Sequence, residues 1–295
     1  MADRVVIAGD GLSAAINPLG AELSSLKDAA GRELMTDADP AFWTGRAPLL
    51  FPVVGKPAGE TIRVDGGPYT MKQHGFARRM MFAVAEQAAD RATFVLTDTP
   101  ETRACYPFAF RLEVTFGIVG ATLSVDVSIA NPGDAPLPAS FGFHPAFAWP
   151  LPGGGAKEAH RIIFSADEPE PLRKIDANGQ IAPEPRPSPL DGRTLHLRDD
   201  LFADDALIWD RLHSDRVTYQ GATGPRLEIA FSDTPMLGIW TKPGAHFICI
   251  EPWHGIADPA GFTGDFRDKP GVFEVAPGAA RSEEHTSELQ SRLHL

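Results

Sequence analysis

The sequence predicts an all-β chain folded as one large antiparallel β-sandwich. Three observations carry that expectation. Short apolar runs rich in β-branched and aromatic residues recur along most of the 295 residues. Turn-forming residues, 28 Gly and 27 Pro, are spread between the runs rather than gathered in one block. No segment sustains the periodicity of a long amphipathic helix.

The strand signals follow in order. RVVIAG (4–9), SAAINP (13–18) and AELSSL (21–26) are short apolar runs closed by Gly, Asn or Pro. TIRVDGGPYTM (61–71) reads as two strands around an Asp-Gly-Gly turn. MFAVAEQ (81–87), RATFVLTD (91–98), FRLEVTFGIVG (110–120) and ATLSVDVSIAN (121–131) continue the pattern. In the last, Leu123, Val125, Val127 and Ile129 alternate with polar residues, as in a strand buried on one face. RIIFSAD, ALIWDRL, RVTYQG, RLEIAFSD, MLGIWTK and HFICIEP follow at turn-separated intervals. The Pro-rich polar stretch 167–197 reads as a surface excursion, because strand patterning resumes beyond it.

Composition narrows the function. The net charge is -12 and no basic stripe is visible, which argues against a nucleic-acid partner. Gly-Asp-Gly at 9–11 lacks the rest of a dinucleotide fingerprint and the helix that should follow. Cys105 and Cys249 sit in apolar strand-like runs and read as reduced core thiols. The first residues, MADRVVIAGDG, hold no apolar run of signal-peptide length, and no run approaches a membrane span. A soluble cytoplasmic protein is the resulting expectation.

Residues 281–295 stand apart. RSEEHTSELQSRLHL is polar, lacks strand alternation and follows a turn-like Pro-Gly-Ala-Ala. Arg281–Ser291 also coincides with the translation of a common sequencing adapter. The segment is therefore read as a non-native read-through tail outside a domain of residues 1–280, with no functional weight on His285 or His294. The alternative is a native, frayed helix.

Four stretches place polar groups inside buried-looking sequence. KQHGFARRM holds His74, Arg78 and Arg79, cationic donors suited to sugar hydroxyls or phosphate, or else solvated residues at a hairpin exit. In SFGFHPAFAWP, His144 precedes Pro145, which interrupts ladder pairing. A histidine there is a candidate proton donor, against the plainer reading of a satisfied core histidine. FADDALIWD offers Asp204 and Asp205, hydroxyl acceptors or ordinary turn residues. In HFICIEPWHG, Glu251 ends an apolar run, so desolvation should raise its pKa and make it a better base. Trp253 beside it offers a flat face for a pyranose ring, and the competing reading of Glu251 is a strand-end ion pair.

The order of these stretches resembles the aldose 1-epimerase superfamily, in its bacterial branch of LacX-type and hexose-6-phosphate mutarotase-like proteins. The matching pieces are NPLGAELSSL (17–26), FWTGRAPLLFPVVG (42–55), YTMKQHGFAR (69–78), FGFHPAFAWPL (141–151), LFADDALIW (201–209), ICIEPWHGIADPAGF (248–262) and DKPGVFEVAPG (268–278). The resemblance implies a galactose mutarotase-like supersandwich with an open sugar cleft. It implies His144 as the acid at the ring oxygen and Glu251 as the base at the anomeric hydroxyl. It implies His74, Arg78, Asp205 and Trp253 as substrate-binding residues. Family members usually continue past the Pro-Gly turn with a final strand, which the polar tail does not promise.

The expected activity interconverts the α and β anomers of a hexose or hexose phosphate by acid–base ring opening. It needs no metal, nucleotide or redox cofactor, and its partner is a small-molecule sugar or sugar phosphate rather than nucleic acid or membrane. The chemistry calls for a protonated His144 and an ionised Glu251 facing each other across a sugar-sized gap. A catalytically silent carbohydrate-binding or sensing module on the same scaffold is the alternative. A sandwich-fold lyase or hydrolase is a weaker third reading, since Tyr is scarce and only Tyr69 falls in a matched motif.

Overall fold

A computed structural model describes residues 3–231 and 233–290. Its strands pair antiparallel, and among the described residues there is one six-residue helix, Pro100–Cys105, with short 3-10 turns. A nine-stranded sheet forms one layer. Its spatial order is Thr194–His196, Arg161–Phe164, Arg216–Gln220, Arg226–Ala230, Ala280–Gln290, Thr122–Ala130, Arg111–Val119, Arg91–Thr97 and Ala83–Gln87. A second sheet joins Phe141–Gly142, Phe247–His254, Met236–Trp240 and Leu207–Trp209, with Ala146–Ala148 also paired to Phe247–His254. One continuous core links Val114, Val127 and Ile129 of the first sheet to Phe141, Leu237 and Ile250 of the second. The large antiparallel sandwich expected from the sequence is the observed fold.

Local chemistry explains the elements. Thr122–Ala130 buries Leu123, Val125, Val127 and Ile129 in strict alternation, so its register is fixed by which face must leave water. The hairpin Thr61–Val64/Gly67–Thr70 turns through Asp65 and Gly66, both at positive φ, as a tight two-residue turn requires. Cys105 and Cys249 are free thiols, Cys249 in the core as expected but Cys105 only half-buried. No described helix is long and apolar enough to cross a membrane.

The C-terminal segment departs from expectation. Ala280–Gln290 is neither unpaired tail nor helix but a strand, antiparallel to Arg226–Ala230 on one side and Thr122–Ala130 on the other. The reason lies in the backbone. Two strands with open ladders flank the slot, and any extended chain can satisfy them whatever its side chains. The inward positions take Glu283 and His285, both buried, which is why apolar alternation could not reveal the strand. His285 stacks on Phe143, with ring centroids 5.0 Å apart, and so packs behind the residue preceding His144. His294 lies outside the described residues.

Candidate active site

One strand interruption, set against an unbroken neighbour, builds the centre of the site. The chain pairs with Phe247–His254 through Phe141–Gly142, breaks at Phe143–Pro145, and pairs again through Ala146–Ala148. The Pro145 carbonyl still accepts from Ile250 N–H and the Phe143 N–H still donates to the Pro252 carbonyl. His144 is thereby held level with Glu251 on the adjoining strand. Its Nε2 lies 3.2 Å from Glu251 Oε2. His144 is 8% exposed and Glu251 2%.

The pair does not face itself across a sugar-sized gap; the two side chains touch. Both also line the same open cavity, of about 560 Å³. Contact is compatible with hemiacetal chemistry, because the ring oxygen and the anomeric oxygen are both bonded to C1. Two groups side by side on one wall can reach both.

Burial disfavours charge on both groups: the rise expected for Glu251 is present, while His144 is pushed away from the imidazolium the chemistry calls for. Desolvation lowers His144 to about 3, helped by the Arg78 charge and opposed by a contact with its own backbone carbonyl. Desolvation raises Glu251 well above the carboxylate range, and the Asp205 charge adds to it. The Trp253 side chain offsets part of that rise, although its Nε1 reaches no partner in good hydrogen-bond geometry. Burial thus favours the uncharged form of each group, the imidazole and the carboxyl alike.

The other expected residues converge on the same cavity. His74, Arg78, Asp205 and Trp253 all line it. His74 sits at φ 63° and accepts from Gly55 N–H through Nδ1 at 3.2 Å. Arg78 lies in a 3-10 turn, Ala77–Arg79, and Nη2 donates to the Gln73 carbonyl at 3.0 Å. Burial, then the Arg79 charge, pushes it down to about 10, with Glu22 opposing, so it stays cationic at neutral pH. Arg79 is exposed and outside the cavity lining, with Nη1 on the Gly75 carbonyl at 3.0 Å. Asp205, at φ 74°, accepts from Ala206 N–H at 2.7 Å. Asp204 is exposed and does not line this cavity.

Trp253 lies deeper than expected, only 6% exposed. Its ring fills a slot between two glycines: a Cβ at Gly238 would come within 2.4 Å of it, and one at Gly142 within 2.6 Å. The more open aromatic faces belong to two residues the sequence reading did not single out, Trp43 and Trp240. Trp43 stacks on His144 at 4.9 Å and meets Trp240 edge-on at 5.7 Å. Lys56 and the tip of the 167–197 excursion, Asp176–Gly179, complete the rim. Trp43 stood inside a matched motif, FWTGRAPLLFPVVG. The excursion carried only its Asp-Ala-Asn-Gly turn, a shape signal and not a chemical one.

Comparison with known proteins follows the geometry. Residues 3–263 match the family described as aldose 1-epimerase. The chain is 31% identical over 276 residues to the chromosomal LacX protein of Lactococcus lactis subsp. lactis, covering 90% of this chain and 92% of that one. The crystal structure of a galactose mutarotase related enzyme from Lactobacillus acidophilus superposes with a TM-score of 0.89 at 30% identity, over 98% of this chain and 97% of the other. A galactose mutarotase-like protein from Lactobacillus casei gives a TM-score of 0.88 at 29% identity, over 97% and 100%.

Proposed function

The chain belongs to the aldose 1-epimerase family, and from that premise we propose that it interconverts the α and β anomers of an aldose, with His144 and Glu251 carrying the proton transfers. The observation that carries this reading is the direct contact of an imidazole and a carboxyl, 3.2 Å apart, on the wall of one open cleft. His74, Arg78 and Asp205 supply hydroxyl partners around it, and Trp43, Trp240 and Trp253 supply apolar faces for a pyranose.

In its uncharged form the pair holds one transferable proton, on Glu251, and one proton is the inventory the reaction needs. As sugar hydroxyls enter, the proton crosses from Glu251 to His144, giving carboxylate and imidazolium. Glu251 then takes the proton from the anomeric hydroxyl while His144 gives its proton to the ring oxygen. The C1–O5 electron pair leaves to the ring oxygen and C1 becomes a carbonyl. Rotation about C1–C2 presents the other face, and the ring recloses with the proton roles exchanged. Each transfer is worth roughly 10²–10⁴-fold.

A free hexose and a hexose phosphate both remain within this reading, Arg78 and Lys56 being the cationic groups in the lining. The test is nuclear magnetic resonance exchange spectroscopy on a panel of free and 6-phosphorylated aldoses. Acceleration of anomer exchange over buffer for at least one sugar is expected. Sugar binding without acceleration would favour a silent carbohydrate-binding module.

A further inference from the structure

A buried ion pair outside the cleft reaches the backbone of one whole wall. Lys269 is 2% exposed and Asp258 4%. Lys269 Nζ lies 2.9 Å from Asp258 Oδ1 and donates to the Val54 carbonyl at 3.3 Å. Asp258 Oδ2 accepts from Ala58 N–H at 2.8 Å. The Asp258 main chain donates to the Lys56 carbonyl and accepts from Ile181 N–H, the root of the excursion whose tip rims the cleft. A buried ion pair is a poor source of stability compared with apolar packing, so net stabilisation is a weak account of this one.

What the pair encloses is Gly55. At φ 74° it runs so close to Ala257 that a Cβ would fall 2.3 Å from the Ala257 backbone. Gly55 grips His74 twice: its N–H donates to Nδ1 at 3.2 Å and its carbonyl accepts from His74 N–H at 2.9 Å. A neutral imidazole that accepts at Nδ1 must carry its proton on Nε2. The Gln73 amide nitrogen lies 3.2 Å from Nε2, so a protonated Nε2 requires that amide to turn its oxygen toward the ring and to yield the N–H when a substrate hydroxyl arrives.

We propose that Lys269 is a positioning residue for sugar recognition: paired with Asp258, it holds Val54–Ala58 so that Gly55 keeps His74 as an Nε2–H donor for a substrate hydroxyl. The inference rests on the reading of this cleft as the sugar site. Electrostatics act in the same direction. Burial, His144, Arg78, Lys269 and Arg79 all disfavour a charged His74, so the donor stays a neutral ring.

The test uses Lys269→Met/Asp258→Asn, which removes both charges together and so leaves neither one buried alone. The histidine ¹⁵N spectrum of the wild type should show His74 protonated on Nε2 and neutral through the neutral pH range. In the double variant His74 should populate the Nδ1–H form or begin to protonate at higher pH. KM should rise about tenfold while kcat changes far less. A wild-type His74 protonated on Nδ1 overturns the proposal whether or not the variant folds. So does a folded variant with an unchanged His74 spectrum, or one with an altered spectrum and an unchanged KM. If the wild type accelerates no sugar tested, the epimerase reading fails, and the ¹⁵N spectra still decide what Lys269 does to His74.

Discussion

His144 Nε2 and Glu251 Oε2 lie 3.2 Å apart, in contact with each other and with almost no water. Two titratable groups so placed act as one unit, and their protons belong to the pair. His144→Ala and Glu251→Gln should each reduce anomer exchange by roughly 10²–10⁴-fold. The double variant should lose little more than either single one, because a proton relay missing one member is already broken. Exchange spectroscopy on a mixed-anomer sugar reads all three. Additive losses would mean that the two residues serve separate steps.

A buried carboxyl held for chemistry should cost stability. Glu251 titrates well above the usual carboxylate range, because burial penalises its charge. The unfolded chain ionises Glu251 around its ordinary 4.5, while the folded chain holds that proton to higher pH. Folding therefore loses stability as pH rises above that value, until the folded carboxyl also ionises. Glu251→Gln keeps the shape and removes the titration. At neutral pH it should melt about 2–4 °C higher than wild type, an effect on the order of 1 kcal/mol, while losing activity. A lower melting temperature would show that the carboxyl is a net stabiliser.

The imidazole contributes with the opposite slope. His144 sits at about 3 in the folded chain against 6.5 unfolded. Its neutral form contributes full stability above 6.5, and that contribution is lost as pH falls toward 3, because the unfolded chain takes up the proton first. His74, also lowered by burial, acts the same way. Between pH 6.5 and 5 the wild type should lose on the order of 2 kcal/mol more unfolding free energy than His144→Gln. Urea titrations at the two pH values measure it. Parallel losses would place the charge on His144 in the resting state.

The sequence announced the centre of the site better than its rim. His144 and Glu251 were legible because each interrupts an apolar strand next to a proline, Pro145 and Pro252, where a polar group has no packing reason to be. Their charge states were not legible. Those depend on burial supplied by both sides of the cleft, which only the folded chain provides. Trp43 and Trp240 escaped notice because their aromatic faces meet only when two distant segments close around His144. The excursion 167–197 read as surface, and most of it is at least partly exposed, though Leu172 and Leu195 are buried and Thr194–His196 forms an edge strand of the large sheet. Its role in the rim comes from Ile181 hydrogen-bonding to Asp258, a pairing that no local pattern encodes.

The strand least visible in the sequence offers the last prediction. Glu283 lies opposite Val127 and is 1% exposed. Arg281 Nε reaches its carboxyl at 2.5 Å, yet burial still raises the Glu283 pKa, and Oε2 has no hydrogen-bond partner. Arg281 is a third exposed and lies over Phe273, so it can return to solvent when its partner is removed. Glu283→Val should therefore stabilise the fold by about 1 kcal/mol, where the same change at a useful buried ion pair would destabilise it. A chemical-denaturation midpoint below wild type would show that the Arg281–Glu283 pair holds the strand in place.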